Sequence, residues 1–261
     1  MTETRTALIT GASSGIGEEL ARLFAADGYR LVLVARSTDK LNELAREFLN
    51  AFKTETRVIS ADLGRPGAAA EIVAQLDGAP VDVLVNNAGF GLFGAFAETP
   101  LDKELNMIQL NVVALTHLTK LLLPAMLARK SGRVLNVAST AAFQPGPLMA
   151  VYYATKAFVL SLSEALAEEL RGSGVTVTAL CPGPTKTGFQ AGAAMEESKL
   201  VRGKDIMDCK TVARIGYAAL MKGKRVVIPG ARNKMLAQSV RFLPRSTVTR
   251  AVMRAQERVQ H

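Results

Sequence analysis

Seven short runs of apolar, β-branched residues recur along this chain, each separated from the next by a longer segment of helical periodicity. The runs read as strands over 6–10, 30–35, 57–61, 81–85, 133–138, 175–180 and 225–228. A strand that is apolar nearly throughout has both faces covered, which is the condition of a parallel sheet held between layers of helix. Helical patterns lie near 15–27, 37–52, 67–77, 101–129, 150–171 and 208–222. Strand and helix in alternation predict an α/β fold, a doubly wound parallel sheet of about seven strands with helices on both faces. Proline and glycine fall at the turns, and no repeat or low-complexity linker interrupts the pattern. One domain over 1–261 is therefore expected.

Composition narrows the chemistry. With 49% hydrophobic and 21% charged residues, the chain can bury a core and is not intrinsically disordered. No run approaches the ~18 uninterrupted apolar residues of a spanning helix, so none is expected. The polar start, Met1 to Arg5, leads straight into the first strand and reads as no signal peptide. Cys181 and Cys209 are far apart, which fits neither a disulfide framework nor a metal knuckle, and a reducing cytoplasmic setting is expected. His117 lies within a long helical pattern and His261 is the last residue. Without a zinc-binding HExxH, a nucleophile elbow or a Cys/His cluster, hydrolase and metalloenzyme readings lose their usual carriers, and no metal is expected.

The net charge of +9 is unevenly placed. Residues 1–198 hold 17 Lys/Arg against 20 Asp/Glu, whereas residues 199–261 hold 15 against 3. The excess can be a solvated helical face or a surface for an anionic membrane or acidic substrate; no nucleic-acid motif accompanies it. Residues 231–261 form two helical stretches broken at Pro244, with Met235, Leu236, Val240, Phe242 and Leu243 among Lys234, Arg241 and Arg245. This basic, amphipathic extension fits packing on its own domain or a second subunit, and also peripheral attachment to a membrane.

The first strand ends in Thr10-Gly11-Ala12-Ser13-Ser14-Gly15-Ile16-Gly17, just before a helical pattern. Glycines there permit a tight turn and let a pyrophosphate approach the helix N-terminus, whose free N–H groups and dipole favour anions. The spacing is G-x-x-x-G-x-G, and its position after the first strand favours dinucleotide binding over a merely structural turn. The second strand is followed by Arg36, with Lys40 one helical turn on. An acidic residue at that point would hold a ribose 2′-hydroxyl, whereas an arginine fork grips a 2′-phosphate, so NADP(H) is preferred over NAD(H).

Tyr152 and Lys156 stand at i and i+4, on one helix face. A free tyrosine, with its pKa near ~10, is a poor neutral-pH acid. A nearby ammonium is expected to lower that pKa. Three features gather at the same sheet edge, where open α/β folds build their sites: Ser139 after the fifth strand, Asn86-Asn87-Ala88-Gly89 after the fourth, and Pro182-Gly183-Pro184-Thr185 after the sixth. Tyr153, lacking a lysine at i+4, reads as a bystander.

In order and spacing these motifs resemble the short-chain dehydrogenase/reductase family in its single-domain form, over roughly residues 4–230, with Ser139 standing 13 residues before Tyr152. The resemblance implies a Rossmann fold in which Tyr152 exchanges a proton with a carbonyl or alcohol oxygen. It implies that Lys156 lowers the tyrosine pKa and holds the nicotinamide ribose, and that Ser139 binds the substrate oxygen. Asn111 would hold a water of the proton relay. Asp62 would contact the adenine with Leu63 beside it, and Asn87, Ala88 and Gly89 would line the adenosine side. Ser13, Ser14 and Ile16 belong to the glycine turn. Thr185 and Thr187, beside Pro182 and Gly183, would hold the carboxamide. The resemblance also implies a homodimer or homotetramer through 101–129 and 150–171, where Leu160, Leu162, Ala165 and Leu166 offer an apolar face.

The loops expected to choose the substrate, 90–96, 143–149 and 189–195, carry five of the ten phenylalanines and little charge. An apolar carbonyl, steroid-like or long acyl, follows, unless those side chains simply pack the loops. The basic tail resembles a branch near ketoacyl and hydroxysteroid reductases, which implies apolar substrates and, for a protein expected in the cytoplasm, peripheral contact at the inner face of a membrane. Two other functions compete. A non-catalytic NADP(H)-binding redox sensor would have no use for Ser139, Tyr152, Lys156 and Asn111 together. An epimerase or dehydratase would have a larger C-terminal substrate region.

Overall fold

The computed structural model describes residues 4–186 and 206–256. Seven strands form one sheet: β1 Thr6–Thr10, β2 Arg30–Ala35, β3 Thr56–Ser60, β4 Val83–Asn86, β5 Gly132–Val137, β6 Val175–Leu180 and β9 Val226–Val227. Their order is β3-β2-β1-β4-β5-β6-β9, with every pair parallel. The chain starts in the middle, winds outward through β2 and β3, then crosses back beside β1 to lay down β4. The connections from β1 and β4 leave in opposite directions, which opens a crevice at the strands' C-terminal ends. A separate parallel pair joins β7 Thr185–Lys186 to β8 Met207–Asp208.

Neighbouring residues of β1 divide the core, as the period of two requires. Ala7 and Ile9 face a cluster with Phe24, Leu41 and Phe48, carried by α1 Gly15–Ala26 and α2 Thr38–Phe52, and with Leu220 of α7 Cys209–Met221. Leu8 faces the other cluster, with Ile72 of α3 Ala68–Ala74 and Leu118, Leu122 and Met126 of α5 Leu115–Ala128. Burial of each large side chain contributes about 1.5–3 kcal/mol, so the two clusters hold the layers on the sheet. Strands β1, β2 and β6 occupy their expected residues, and β3, β4, β5 and β9 differ by one or two residues at each end.

The expected helix over 101–129 is interrupted. It consists of α4 Leu101–Ile108, a π-helical turn Gln109–Ala114, and α5. No hydrophobic period signals the extra residue of such a turn. By length and composition the stretch Leu101–Ala128 is long and apolar enough to span a bilayer, although it contains no uninterrupted apolar run of that length. Here its inner side chains Met107, Leu118, Leu122 and Met126 are packed in the fold.

A buried polar chain ties this stretch and α6 Ala150–Glu169 to the sheet. Asn86 Nδ2 donates to Thr119 Oγ1 at 3.0 Å and to Asn136 Oδ1 at 2.9 Å. Asn136 Nδ2 in turn donates to Ser163 Oγ at 2.9 Å, and Ser163 donates to the Val159 carbonyl at 2.6 Å. Such a chain is costly to interrupt, because each buried donor loses water without replacement. Asn136→Leu is expected to lower stability by about 1–3 kcal/mol, by leaving its neighbours short of partners. Urea unfolding checks this; an unchanged midpoint would contradict it.

Candidate active site

The crevice is a cleft of about 900 Å³, within the usual range of ligand pockets. One end is built by the turn from β1 into α1. Gly11 and Gly15 adopt φ of +63° and +60°, the left-handed region that glycine enters without a steric cost. Ser14 is the N-cap of α1, yet its side chain makes no capping bond, so the first-turn N–H groups remain available to an anion. Ser13, Ser14, Gly15 and Ile16 line the cleft there. Gly17 stands behind the wall: a Cβ on it would lie 2.4 Å from both Gly11 O and Asn87 Nδ2, so it permits the helix to close on the turn.

Asn87 holds that turn from the other strand. Its Nδ2 donates to the carbonyls of Thr10 at 3.0 Å and Gly11 at 3.1 Å. Thr10 Oγ1 accepts from the N–H groups of Asn87 and Ala88, both at 3.0 Å. Asn87, Ala88 and Gly89 line the cleft, as do Asp62 and Leu63 after β3. Asp62 Oδ1 accepts from Gly64 N at 2.9 Å, which shapes that loop. Arg36 is exposed on the wall and, among the described residues, pairs with no carboxylate. Lys40 is exposed on α2 and lies off the lining. The cleft also takes in Ser37, Lys103 and Asn106, which carry no sequence motif.

The other end holds Ser139, Tyr152, Lys156, Pro182, Gly183 and Thr185. Tyr152 and Lys156 lie one turn apart on α6, with Lys156 Nζ 5.8 Å from the tyrosine ring centre. Lys156 Nζ donates to the Val137 carbonyl at 2.8 Å, so its ammonium is anchored to the end of β5. Ser139 Oγ accepts from Ala141 N at 3.1 Å and interacts with the Tyr152 hydroxyl. Burial pushes the Tyr152 phenol up to about 12, only partly opposed by the Ser139 hydrogen bond. Burial likewise lowers Lys156 to about 8. Desolvation of the phenolate is the larger cause at Tyr152, so burial sets the direction of its shift.

Asn111 does not line the cleft. It is buried in the π-helical turn, where Nδ2 donates to Phe90 O at 2.9 Å and Thr155 Oγ1 at 3.1 Å, while Oδ1 accepts from Phe90 N at 3.1 Å. Both amide hydrogens are engaged, so its side chain fixes the loop after β4 against α6 and has no donor left for a water. Gly89 fits between them: a Cβ there would meet Asn111 Oδ1 at 2.8 Å and Lys156 Nζ at 3.5 Å. Thr185 is buried and its hydroxyl donates to Gly183 O at 2.9 Å. Thr187 and the loop 189–195 lie outside the described residues.

Apolar side chains are unequally used. Phe90, Leu92 and Met149 line the cleft, Phe93 packs beneath it against Met107, and Phe96 points to solvent, 70% exposed. Leu148 adopts φ of +65°, a strained value for leucine, and its carbonyl accepts from Gly94 N at 2.8 Å, joining the two loops. Tyr153 is no bystander. It lines the cleft, lies against Gly146, and its hydroxyl accepts from Gln256 Nε2 at 2.8 Å. Gln256 is fully buried at the end of α9 Arg245–Gln256. Gln256→Leu removes a buried hydrogen bond of about 1 kcal/mol and is expected to raise KM for the second substrate about fivefold, with cofactor affinity unchanged. Steady-state kinetics with cofactor titration checks this.

The whole arrangement fits a dinucleotide: anion-binding N–H groups at one end, a free guanidinium beside them, and a hydroxyl, phenol and ammonium at the other. The sequence profile of short chain dehydrogenase matches residues 5–198. The very-long-chain 3-oxoacyl-CoA reductase of Anas platyrhynchos is 33% identical over 260 residues, covering 97% of this chain and 80% of that protein. The chain spans 58% of the length of the human and bovine proteins of the same name. Among solved structures, a short-chain dehydrogenase from Sphingobium yanoikuyae in complex with NADPH matches at TM-score 0.83, with 31% identity and 98% of each chain covered. A 7β-hydroxysteroid dehydrogenase matches at TM-score 0.86, with 29% identity over 95% of this chain and 96% of that one. The shared fold, the profile match and these relatives place the chain in the short-chain dehydrogenase family of oxidoreductases.

Proposed function

We propose that the protein is an NADP(H)-dependent reductase of apolar carbonyls, acting also on the corresponding secondary alcohols. The observation that carries this reading is the convergence of Ser139, Tyr152 and Lys156 on one end of a cleft whose other end is an uncapped helix N-terminus. When bound, the dinucleotide supplies the hydride. The chain supplies position and the proton. The α1 N–H groups and Arg36 would hold its phosphates, Asp62 and Leu63 its adenine side, and Lys156 and Thr185 its nicotinamide side.

The carbonyl oxygen would sit between Ser139 Oγ and the Tyr152 hydroxyl. A phenol held near 12 is fully protonated at neutral pH, so Tyr152 has a proton to give. It passes that proton to the substrate oxygen as the carbonyl carbon is reduced, and is left as a phenolate that the Lys156 ammonium stabilises. Lys156, lowered to about 8, still carries its charge at pH 7. Asn111 acts one layer back, keeping Phe90 and Thr155 in place. The avian reductase, named for a very-long-chain acyl group, and the hydroxysteroid dehydrogenase, named for a steroid, support that substrate class here, as do Phe90, Leu92 and Met149 on the wall.

A second copy fits the outer faces of α4, α5 and α6. Leu101 and Leu105 of α4, Val113 of the π-helical turn and Leu121 of α5 are exposed, as are Ala154, Phe158 and Ala165 of α6, whereas Leu160 is buried in the core and Leu162 and Leu166 are half-buried. A homodimer or homotetramer would cover the exposed ones. The setting proposed is cytoplasmic, with peripheral attachment to a membrane through the basic C-terminal segment.

Tyr152→Phe is expected to cut turnover about 10²–10⁴-fold while NADPH still binds. A variant of full rate would remove the assignment. The value of kcat/KM for the cofactor reports ionisations of the free protein, so it is expected to fall above about pH 8, where Lys156 becomes neutral. Lys156→Arg should abolish that break. Arg36→Ala is expected to weaken NADPH about tenfold or more, for the loss of charge-assisted hydrogen bonds, and to leave NADH nearly unchanged. Equal weakening of both would contradict the preference for the 2′-phosphate.

A further inference from the structure

The C-terminal arm has two unlike sides. It comprises α8 Ala231–Ser239, a 3₁₀ turn Val240–Phe242, and α9. Its inner side is part of the cleft's surroundings. On α9, Val248 and Gln256 are buried and Val252 packs with Phe93, Met149, Tyr152 and Tyr153, an i, i+4, i+8 stripe that ends on the Tyr153 hydroxyl. On α8, Asn233 stands against Gly183, where an added Cβ would meet its Nδ2 at 2.6 Å. The arm therefore rests on both the Tyr152-Tyr153 wall and the Pro182-Gly183 turn.

The outer side is cationic and apolar at once. Residues 231–256 contain six Lys/Arg and no Asp/Glu. All six cations are exposed, and among the described residues none pairs with a carboxylate. Between them Phe242 is 86% exposed, Met235 65% and Leu236 53%, with Leu243 and Met253 also open. On α9, Arg250 and Arg254 lie opposite the buried stripe and the exposed Met253 flanks it. A solvated helix face usually intersperses both signs of charge and scatters its exposed apolar residues singly, whereas here Met235, Leu236, Phe242 and Leu243 are exposed within nine residues among cations alone. A surface that offers cations around protruding apolar side chains matches an anionic lipid headgroup layer over acyl chains.

We infer that the outer face of the α8–α9 arm docks on an anionic lipid bilayer, with Phe242 and Leu243 entering the headgroup–acyl boundary. The docked face is the back of the substrate-end wall, so the cleft is held at the membrane surface, where a bilayer-partitioned carbonyl is concentrated. That consequence for substrate supply rests on the reductase reading; the docking itself does not.

The test is cosedimentation of the full chain with phosphatidylcholine vesicles, with and without phosphatidylserine. Binding is expected only to the anionic vesicles and is expected to fall as salt rises. Arg241→Glu combined with Arg245→Glu should weaken it roughly tenfold or more, and Phe242→Ser should also weaken it. NADPH binding by each variant, expected unchanged, shows that it is folded. No pelleting, or equal pelleting with neutral vesicles, would overturn the inference. So would a Phe242→Ser variant that alters the sedimentation coefficient of the free protein when the parent binds no vesicles, since the face would then meet a second copy. Turnover of a water-soluble ketone without vesicles tests the reductase reading separately: its failure beside intact vesicle binding would strike that reading alone.

Discussion

The ends of β1 and β4 are clasped by Thr10 and Asn87, and the geometry of the site depends on that clasp. Thr10 Oγ1 accepts from two successive N–H groups after β4 and donates to the Val85 carbonyl at 3.2 Å. Asn87 answers with its side chain on the carbonyls of Thr10 and Gly11. The backbone at these strand ends has run out of sheet partners, because the chain leaves β1 and β4 in opposite directions. Side chains must satisfy those groups or they stay unpaired in a buried place. In satisfying them, the clasp sets the glycine turn, the α1 N-terminus and the Asn87-Ala88-Gly89 wall relative to one another, and so the anion-binding end of the cleft.

The other end is set by burial. Tyr152 and Lys156 are both 8% exposed or less, and desolvation favours the neutral form of each, raising the phenol and lowering the ammonium. The Lys156 ammonium is held in that buried place by its hydrogen bond to the Val137 carbonyl. The rigidity comes from behind: the Asn86–Asn136–Ser163 chain anchors α6 to the sheet, and Asn111 joins the loop after β4 to Thr155, whose hydroxyl donates to the Tyr152 carbonyl at 2.7 Å. The π-helical turn is what lets Asn111 reach inward at that point, in keeping with the association of such turns with functional sites.

Exposed apolar surface separates into two kinds. The α4–α5 and α6 faces expose leucine, valine, phenylalanine and alanine among charges of both signs, such as Asp102, Lys103, Lys120 and Glu164. The α8–α9 arm carries its apolar side chains among unpaired cations. Both kinds were visible as composition, but only the packing of Val252 and Gln256 shows that the basic arm belongs to the wall of the cleft.

By itself the sequence determined the fold class, most strand positions and the cluster of hydroxyl, phenol, ammonium and glycine turn at one sheet edge. These are local signals: a period of two or of 3.6 and fixed spacings within one helix or turn survive in the linear order. Lys40 shows the limit of spacing, since one helical turn from Arg36 carries it away from the cleft. Ser37, Lys103, Asn106, Tyr153 and Gln256 have no motif, and the last two are 103 residues apart, so only the tertiary structure brings them to the site. It alone also decided that Asn111 braces the loop instead of lining the cleft, and that Tyr152 and Lys156 are both buried. Proton affinity follows desolvation, and desolvation is fixed by everything packed around a group, which no short stretch of sequence records.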